Sequence, residues 1–125
     1  MYSLIAKWTI LPGNEDKAVA ALKNLATQVL QQEPGTLVYA IFTPDFAERS
    51  LPTPPAGEVS FLEIYEDNDA FMKHINGTVY QNFVTNYGAL FLNDFSGKPF
   101  VTFEVIQQMA GFFRNNFSDV WNGNL

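Results

Sequence analysis

The spacing of apolar residues predicts four β-strands in this chain. Residues 2–11 are apolar on both alternating sides, which is typical of a strand that is covered on both faces. Runs rich in β-branched and aromatic residues predict three further strands, at 36–43, 58–66 and 100–107.

Helical spacing of apolar residues predicts two helical regions between these strands. The first covers residues 14–33, with Asn14 as its N-cap. The second begins at a cap on Asp67 or Asn68 and continues to about residue 90. Gly77 falls inside this second region, where it is expected to break or kink the helix.

The order of these elements is β-α-β, then β-α-β, and a proline-rich loop at 44–57 joins the two halves. Right-handed crossovers in both halves place the helices on one face of a four-stranded sheet. The sequence therefore predicts an α+β fold of the ferredoxin-like type, with an antiparallel sheet.

Apolar side chains are expected on both faces of this sheet. In the third predicted strand, one side carries Val59, Phe61 and Tyr65, and the other carries Leu62 and Ile64. Helices cover one face, so the other would leave a large apolar surface exposed, and such a surface indicates a partner. The simplest partner is a second copy of the chain, related by two-fold symmetry, so the sequence predicts a homodimer.

Composition and charge narrow the classes of function. The chain has 125 residues, enough for one domain, and its net charge is −6. Its basic residues are scattered, so neither nucleic acid nor a membrane surface is an expected partner. With no cysteine and a single histidine, His74, the chain is not expected to bind a metal. The N-terminus lacks the features of a signal peptide and no stretch reaches transmembrane length, so the expected location is the cytoplasm.

Two sets of residues resemble the antibiotic biosynthesis monooxygenase (ABM) family. One is the Glu33-Pro34-Gly35 motif followed by Tyr39, and the other is Glu63-x-Tyr65 followed by the helix that carries His74. The resemblance covers roughly residues 2–107, and it implies the dimeric α+β barrel fold.

The chain is expected to contain one ABM-like domain, residues 1–108, and a C-terminal extension, residues 109–125. The extension carries Phe112, Phe113 and Trp121 among other apolar side chains. An unpacked terminus with this much aromatic surface would promote aggregation. The extension is therefore predicted to pack on the domain or on the dimer partner.

The family includes cofactor-free monooxygenases that oxidise polycyclic phenols or quinols, so the resemblance implies this activity, without a cofactor, on a small aromatic molecule. The superfamily also contains haem-degrading enzymes, but Ala6, His74 and Val84 stand where those enzymes use Asn, Trp and His. Haem degradation is therefore not expected. A non-catalytic small-molecule binding or regulatory module is the alternative, and a cofactor-free isomerase or lyase is a third possibility.

His74 and Glu63 are the candidate catalytic residues. Histidine titrates near neutral pH and so suits a general base, and Phe71, one turn earlier, shares its sheet-facing side of the helix. Alternatively, His74 is a half-buried structural residue bonded to a carboxylate or a carbonyl. Glu63 is expected in the middle of a buried strand, where a carboxylate needs a partner. That partner is either His74, or Lys7 or a tyrosine on a neighbouring strand.

Five aromatic residues are candidates for binding the substrate: Trp8, Tyr39, Tyr65, Phe71 and Phe83. Indole and phenol groups can contact an aromatic ring and donate a hydrogen bond to it or its substituents. The alternative is that these side chains belong to the core or to the dimer interface. An enzyme would leave the candidate catalytic residues open to a cavity, whereas a structural domain would seal them.

Overall fold

The computed structural model describes residues 1–114. Its four strands and three α-helices follow one another in the order β1-α1-β2-β3-α2-α3-β4. The strands are β1 (Tyr2–Thr9), β2 (Thr36–Phe42), β3 (Glu58–Tyr65) and β4 (Thr102–Ile106). The helices are α1 (Glu15–Gln32), α2 (Asn68–Asn76) and α3 (Thr78–Tyr87). None of these described helices is long and apolar enough to cross a membrane.

The strands form one antiparallel sheet in the order β2-β3-β1-β4. β1 pairs with β3 along its whole length, from Tyr2 opposite Tyr65 to Thr9 opposite Glu58. β4 pairs with the other side of β1, so the first and last strands are neighbours. This order confirms the predicted ferredoxin-like α+β fold.

The core lies between the helices and one face of the sheet, to which alternate strand residues contribute. The buried strand residues on this face are Leu4, Ala6 and Trp8 of β1, and Val59, Phe61, Glu63 and Tyr65 of β3. The residues that α1 buries recur at helical spacing: Ala18, Ala21, Leu22, Leu25 and Val29. Each large apolar side chain removed from water in this way contributes about 1.5–3 kcal/mol to folding.

The opposite face of the sheet, here called the open face, is apolar at its centre. Ile5 points to this face and is 39% exposed, and its cross-strand neighbours are Leu62 and Glu104. Near one end of the face, the Lys7 ammonium lies 3.1 Å from the Glu58 carboxylate. Apolar side chains of the strands thus lie on both faces of the sheet, as the sequence predicted.

The ends of the helices agree only in part with the caps and the break that the sequence predicted. Asp67 caps α2 as predicted, because its Oδ1 accepts a hydrogen bond from the Ala70 N–H at 2.9 Å. Asn14 precedes α1, but its side chain makes no cap hydrogen bond and instead donates to the Leu90 carbonyl at 3.3 Å. This bond ties the start of α1 to the turn after α3. Gly77 separates α2 from α3, so the predicted second helical region is two helices.

The C-terminal extension is described only in part. Residues 107–114 follow β4 without forming a helix or strand, and Met109 and Phe112 are 95% and 71% exposed. Residues 115–125 lie outside the described part of the chain. The packing of the extension therefore stays a prediction.

Candidate functional site

His74 lies on the last turn of α2, with its imidazole buried against the sheet. The residue is 2% exposed, and its Nδ1 lies 2.6 Å from Oε1 of Glu33, the C-cap residue of α1. Because a carboxylate accepts hydrogen bonds, His74 Nδ1 donates to Glu33, and in the neutral ring Nε2 is the unprotonated nitrogen. The pair therefore selects the tautomer of His74.

The close approach of α2 to the turn after α1 makes this pair possible. A Cβ atom placed on Gly35 would lie 2.9 Å from the Cβ of Ala70, on the first turn of α2. The Glu66 N–H also donates to the Gly35 carbonyl at 2.9 Å, which ties the segment before α2 to the same turn. Since Gly35 has no side chain, α2 can pack directly on this turn, and His74 comes within reach of Glu33.

Three tyrosine rings surround the imidazole, and we call them the tyrosine cage. The ring centroids of Tyr39 on β2, Tyr65 on β3 and Tyr80 on α3 lie 5.2, 5.7 and 5.3 Å from that of His74. Burial raises the pKa of all three phenols. The phenols are therefore protonated at neutral pH and can act as hydrogen-bond donors.

Glu63 lies next to the cage as a buried carboxyl group. It is 6% exposed and shares a face of β3 with Tyr65, whose hydroxyl donates to Glu63 Oε1 at 2.5 Å. Burial raises the pKa of Glu63, while the Tyr65 hydrogen bond and the nearby His74 oppose that change. The net direction is upward, so Glu63 holds its proton to a higher pH than an exposed glutamate.

His74 and Glu63 are not hydrogen-bonded to each other, which corrects the interpretation that His74 is the partner of Glu63. The carboxylate partner of His74 is Glu33, and the partner of Glu63 is a tyrosine, as the other interpretation expected. That tyrosine, however, is on the same strand as Glu63 rather than on a neighbouring one, because residues two apart on a strand share a face. Lys7 lies on the open face and pairs there with Glu58.

Of the five predicted substrate-binding residues, three lie at this cluster, Trp8 touches it only through Tyr80 at 6.3 Å between ring centroids, and Phe83 lies outside it. Tyr39 and Tyr65 contact the imidazole, and Phe71 packs on Tyr65 with their ring centroids 5.4 Å apart. Trp8 and Phe83 pack on each other at 5.8 Å and are buried in the aromatic core. Their positions favour the structural alternative.

Two members of the cluster, Glu33 and Tyr80, were not among the candidate site residues. The sequence does carry a signal for Glu33, because an acidic residue at the C-terminal end of a helix is unfavourable in the helix dipole and so indicates another partner. Tyr80 falls at helical spacing within an aromatic run. Nothing in that spacing indicates that its ring turns toward His74.

Side chains seal both candidate catalytic residues from solvent, but a groove of about 380 Å³ reaches one wall of the tyrosine cage. The groove lies between α3 and the segment before β4, and its lining includes Tyr80, Gln81, Val84, Lys98, Pro99 and Phe100. His74 and Glu63 are not part of that lining. Within residues 1–114, no cluster of three or more acidic, histidine or cysteine side chains forms a candidate metal site.

The sequence matches the family profile of antibiotic biosynthesis monooxygenase over residues 1–86, which is more than half of the chain. The chain belongs to the antibiotic biosynthesis monooxygenase family. The match includes every residue of the His74 cluster, from Glu33 to Tyr80. It confirms the family that the sequence motifs indicated, and β4 of this ABM chain lies beyond the matched residues.

Solved structures share the fold of this ABM chain at low sequence identity. One, described as an antibiotic biosynthesis monooxygenase, is 23% identical with a TM-score of 0.67, over 88% of this chain and 100% of its own. A Pseudomonas aeruginosa protein is 21% identical with a TM-score of 0.67, over 87% of this chain and 94% of its own. A Mycobacterium tuberculosis protein is 19% identical with a TM-score of 0.66, over 88% of this chain and 96% of its own. A search of curated protein sequences found no match.

Proposed function

We propose that this ABM protein is a cofactor-independent monooxygenase that oxidises an aromatic phenol or quinol. The observation that carries the proposal is the His74–Glu33 pair, enclosed by the three rings of the tyrosine cage. Membership of the family supports the monooxygenase class. The aromatic walls of the site support a planar aromatic substrate, since rings of this kind pack favourably on one another.

His74 acts as the general base in this proposal. Its Nδ1–H is held by Glu33, so Nε2 is the atom that accepts the proton of the substrate hydroxyl. The Glu33 carboxylate also stabilises the imidazolium that forms, as the carboxylate does in other histidine–carboxylate pairs.

The deprotonated substrate then reacts with O₂. The electron-rich phenolate gives an electron to O₂, and a bond forms between a ring carbon and oxygen to give a peroxide anion. The His74 imidazolium returns its proton to this peroxide, and loss of water from the hydroperoxide, which takes the hydrogen of the same ring carbon, leaves a carbonyl. One oxygen atom enters the product and the other leaves as water, so all the electrons come from the substrate. The Tyr39 phenol, which burial keeps protonated, is suited to donate a hydrogen bond to the oxyanion that develops.

The alternative function, a non-catalytic small-molecule binding or regulatory module, is favoured by one observation. His74 is 2% and Glu63 is 6% exposed, so neither is open to a cavity in this conformation. A binding module needs no open base, whereas the monooxygenase needs a side chain to move before substrate can reach Nε2. Catalysis and binding must therefore be measured separately.

A homodimer and a cytoplasmic location complete the proposal. The open face of the sheet, with Ile5 and Leu62 at its centre, supports association with a second copy through the two sheets. The extension 109–125 packs on the domain or on that partner.

The test is oxygen uptake by the purified protein with anthrone and naphthols, together with isotope-labelled O₂ to follow one oxygen atom into the product. His74→Gln removes the base, and we expect it to lower the rate by roughly 100-fold or more. Lys73→Gln, its exposed neighbour on α2, is the matched control and should retain the wild-type rate.

Uptake that survives His74→Gln would remove His74 from the reaction. Tight binding of these phenols with no oxygen uptake by the wild-type protein would instead support the binding module. A product that gains no oxygen would point to the isomerase or lyase class.

A further inference from the structure

Tyr80 belongs to two parts of the molecule at once. On one side its ring contacts His74, with centroids 5.3 Å apart, and makes a T-shaped contact with Trp8, with centroids 6.3 Å apart. On another side it forms part of the wall of the groove between α3 and the segment before β4. Of the residues that line the groove, Tyr80 is the one in ring contact with His74. A molecule in the groove is therefore one side chain away from the imidazole.

The other rings of the cage are held more firmly than that of Tyr80. Tyr39 and Tyr65 lie on strands that pair within the sheet, and the Tyr65 hydroxyl is bonded to Glu63. Tyr80 is half-buried on the first turn of α3, directly after the break at Gly77. Rotation of an aromatic side chain about its own bonds needs no change in the backbone, so Tyr80 is the cage member best placed to move.

The groove has the size and the chemistry of a site for a small aromatic molecule. Its volume of about 380 Å³ falls in the usual range for ligand pockets. Tyr80 and Phe100 supply aromatic surface, and Val84 and Pro99 supply apolar surface.

Lys98 brings a cationic group to the wall of the groove. Asp94, which also lines the groove, accepts hydrogen bonds from Ser96 N–H at 2.8 Å and from the Lys98 backbone N–H at 3.3 Å, so its carboxylate is engaged in its own turn. The Lys98 ammonium makes no direct ion pair with an acidic side chain in residues 1–114, although its charge helps to lower the pKa of Asp94. That ammonium can bind a phenolate or an acidic substituent on the ring.

We propose that this groove is the docking site for an aromatic phenol with an acidic oxygen, and that the Tyr80 ring is the gate through which it reaches His74. The inference rests on the proposed function, because it supplies the access that a sealed His74 requires. It adds a docking site and a side chain that limits which substrates enter. A closed Tyr80 keeps water from the base, and an open Tyr80 exposes Nε2 to the docked ring.

The single histidine provides a direct test that does not depend on catalysis. Diethyl pyrocarbonate modifies imidazole, and the absorbance of the product reports His74 alone, since the chain has no other histidine. If the open state of the gate is a minor one, Tyr80→Ala should raise the rate of modification by roughly tenfold or more. Tyr80→Leu is a milder second variant for use if the alanine variant unfolds, and it should raise the rate less.

Tyr87→Ala is the matched control, because Tyr87 is on the same helix but packs on Phe83. An equal rise in this control would show general loosening of α3 and overturn the gate. Wild-type reactivity in both Tyr80 variants would also overturn it.

A second measurement tests the groove. The probe α-naphthol, which carries an acidic hydroxyl, should slow the modification of His74 in the wild-type protein and shift the backbone NMR signals of Val84 and Lys98. Its methyl ether, which cannot ionise, should do both more weakly, and Lys98→Gln should remove the difference between the two probes. Signals that move elsewhere on the molecule, with these unchanged, would rule the groove out. If the gate and groove behave as stated but no phenol consumes oxygen, then the monooxygenase proposal fails while the docking site stands.

Discussion

Tyr39 on β2 and Glu63 on β3 are direct cross-strand partners, so a phenol and a carboxyl group face the helices side by side. Burial raises the pKa of both groups, and the charge that Glu63 would carry raises the pKa of Tyr39 further. The buried face of the sheet therefore holds two neighbouring groups that both favour their protonated forms. This arrangement links the stability of the protein to pH.

The first prediction concerns Glu63→Gln. The pKa of Glu63 in the folded protein lies above its ordinary value of 4.5, so the folded state keeps a proton that the unfolded state releases as pH rises. Stability then falls as pH rises from about 4.5 to the folded pKa, with each pKa unit between the two states worth about 1.4 kcal/mol. Gln still accepts the Tyr65 hydrogen bond but cannot ionise. The variant should therefore exceed the wild type in free energy of unfolding at neutral pH, with little difference in acid.

Urea unfolding at a series of pH values measures this difference. Glu48→Gln, at an exposed position, is the control and should follow the wild-type curve. Parallel curves for Glu63→Gln and the wild type would contradict the prediction.

The second prediction concerns the contact between α2 and the turn after α1. Gly35→Ala places a methyl group 2.9 Å from the Cβ of Ala70, and such overpacking is expected to cost about 1–3 kcal/mol. Ala70→Gly removes the opposing methyl group, although glycine in a helix costs about 1 kcal/mol by itself. The double variant should thus lose less free energy of unfolding than the sum of the losses in the two single variants. Strict additivity in chemical denaturation would show that the two positions do not meet.

The third prediction concerns the tautomer of His74. Glu33→Ala removes the acceptor of the Nδ1–H, and a buried donor left unsatisfied costs about 1–3 kcal/mol. The lower end applies here because the Glu33 side chain is 16% exposed and water can reach this position. Nitrogen NMR of the single imidazole should change from one dominant tautomer to a mixture, whereas Glu48→Ala should leave the spectrum unchanged. A spectrum that stays the same in Glu33→Ala would show that Glu33 does not select the tautomer.

The fourth prediction concerns the homodimer. Ile5→Glu places a charge at the centre of the open face and should shift the molecule from twice the 14.1 kDa chain mass to a monomer. Leu30→Glu, at an 83% exposed position on α1, adds the same charge elsewhere and should leave the dimer intact. Sedimentation measures both. A wild-type protein that stays monomeric at high concentration would rule out the sheet-to-sheet dimer.

The elements of the fold were predictable because their signals are local. The period of the apolar residues distinguishes β1 from α1, and the glycine at 77 marks the boundary of α2 and α3 within one apolar pattern. The side chain of Asn14 shows the limit of such signals. Its type suits an N-cap, but its side-chain NH₂ donates to the Leu90 carbonyl, and its side chain makes no cap hydrogen bond to α1.

The site was less predictable because its contacts are distant in sequence. Glu33 and His74 are 41 residues apart, and they meet because Gly35 lets α2 approach the turn. The sequence identified His74 and Glu63 as polar residues in apolar surroundings. It could not assign their partners, because the pattern along one strand or helix does not indicate which side chain of a neighbouring element lies against it.

The place of β1 in the sheet has a consequence for how the protein is made. Of the four described strands, β1 is synthesised first and β4 last, yet β1 ends between β3 and β4 in the sheet. Until Thr102–Ile106 has emerged, the backbone of β1 from Ser3 to Lys7 presents unpaired hydrogen-bonding groups along one edge. Exposed edges of this kind pair readily with other chains. A nascent or prematurely terminated polypeptide that lacks β4 is thus expected to bind chaperones, and pairing with β4 removes that edge.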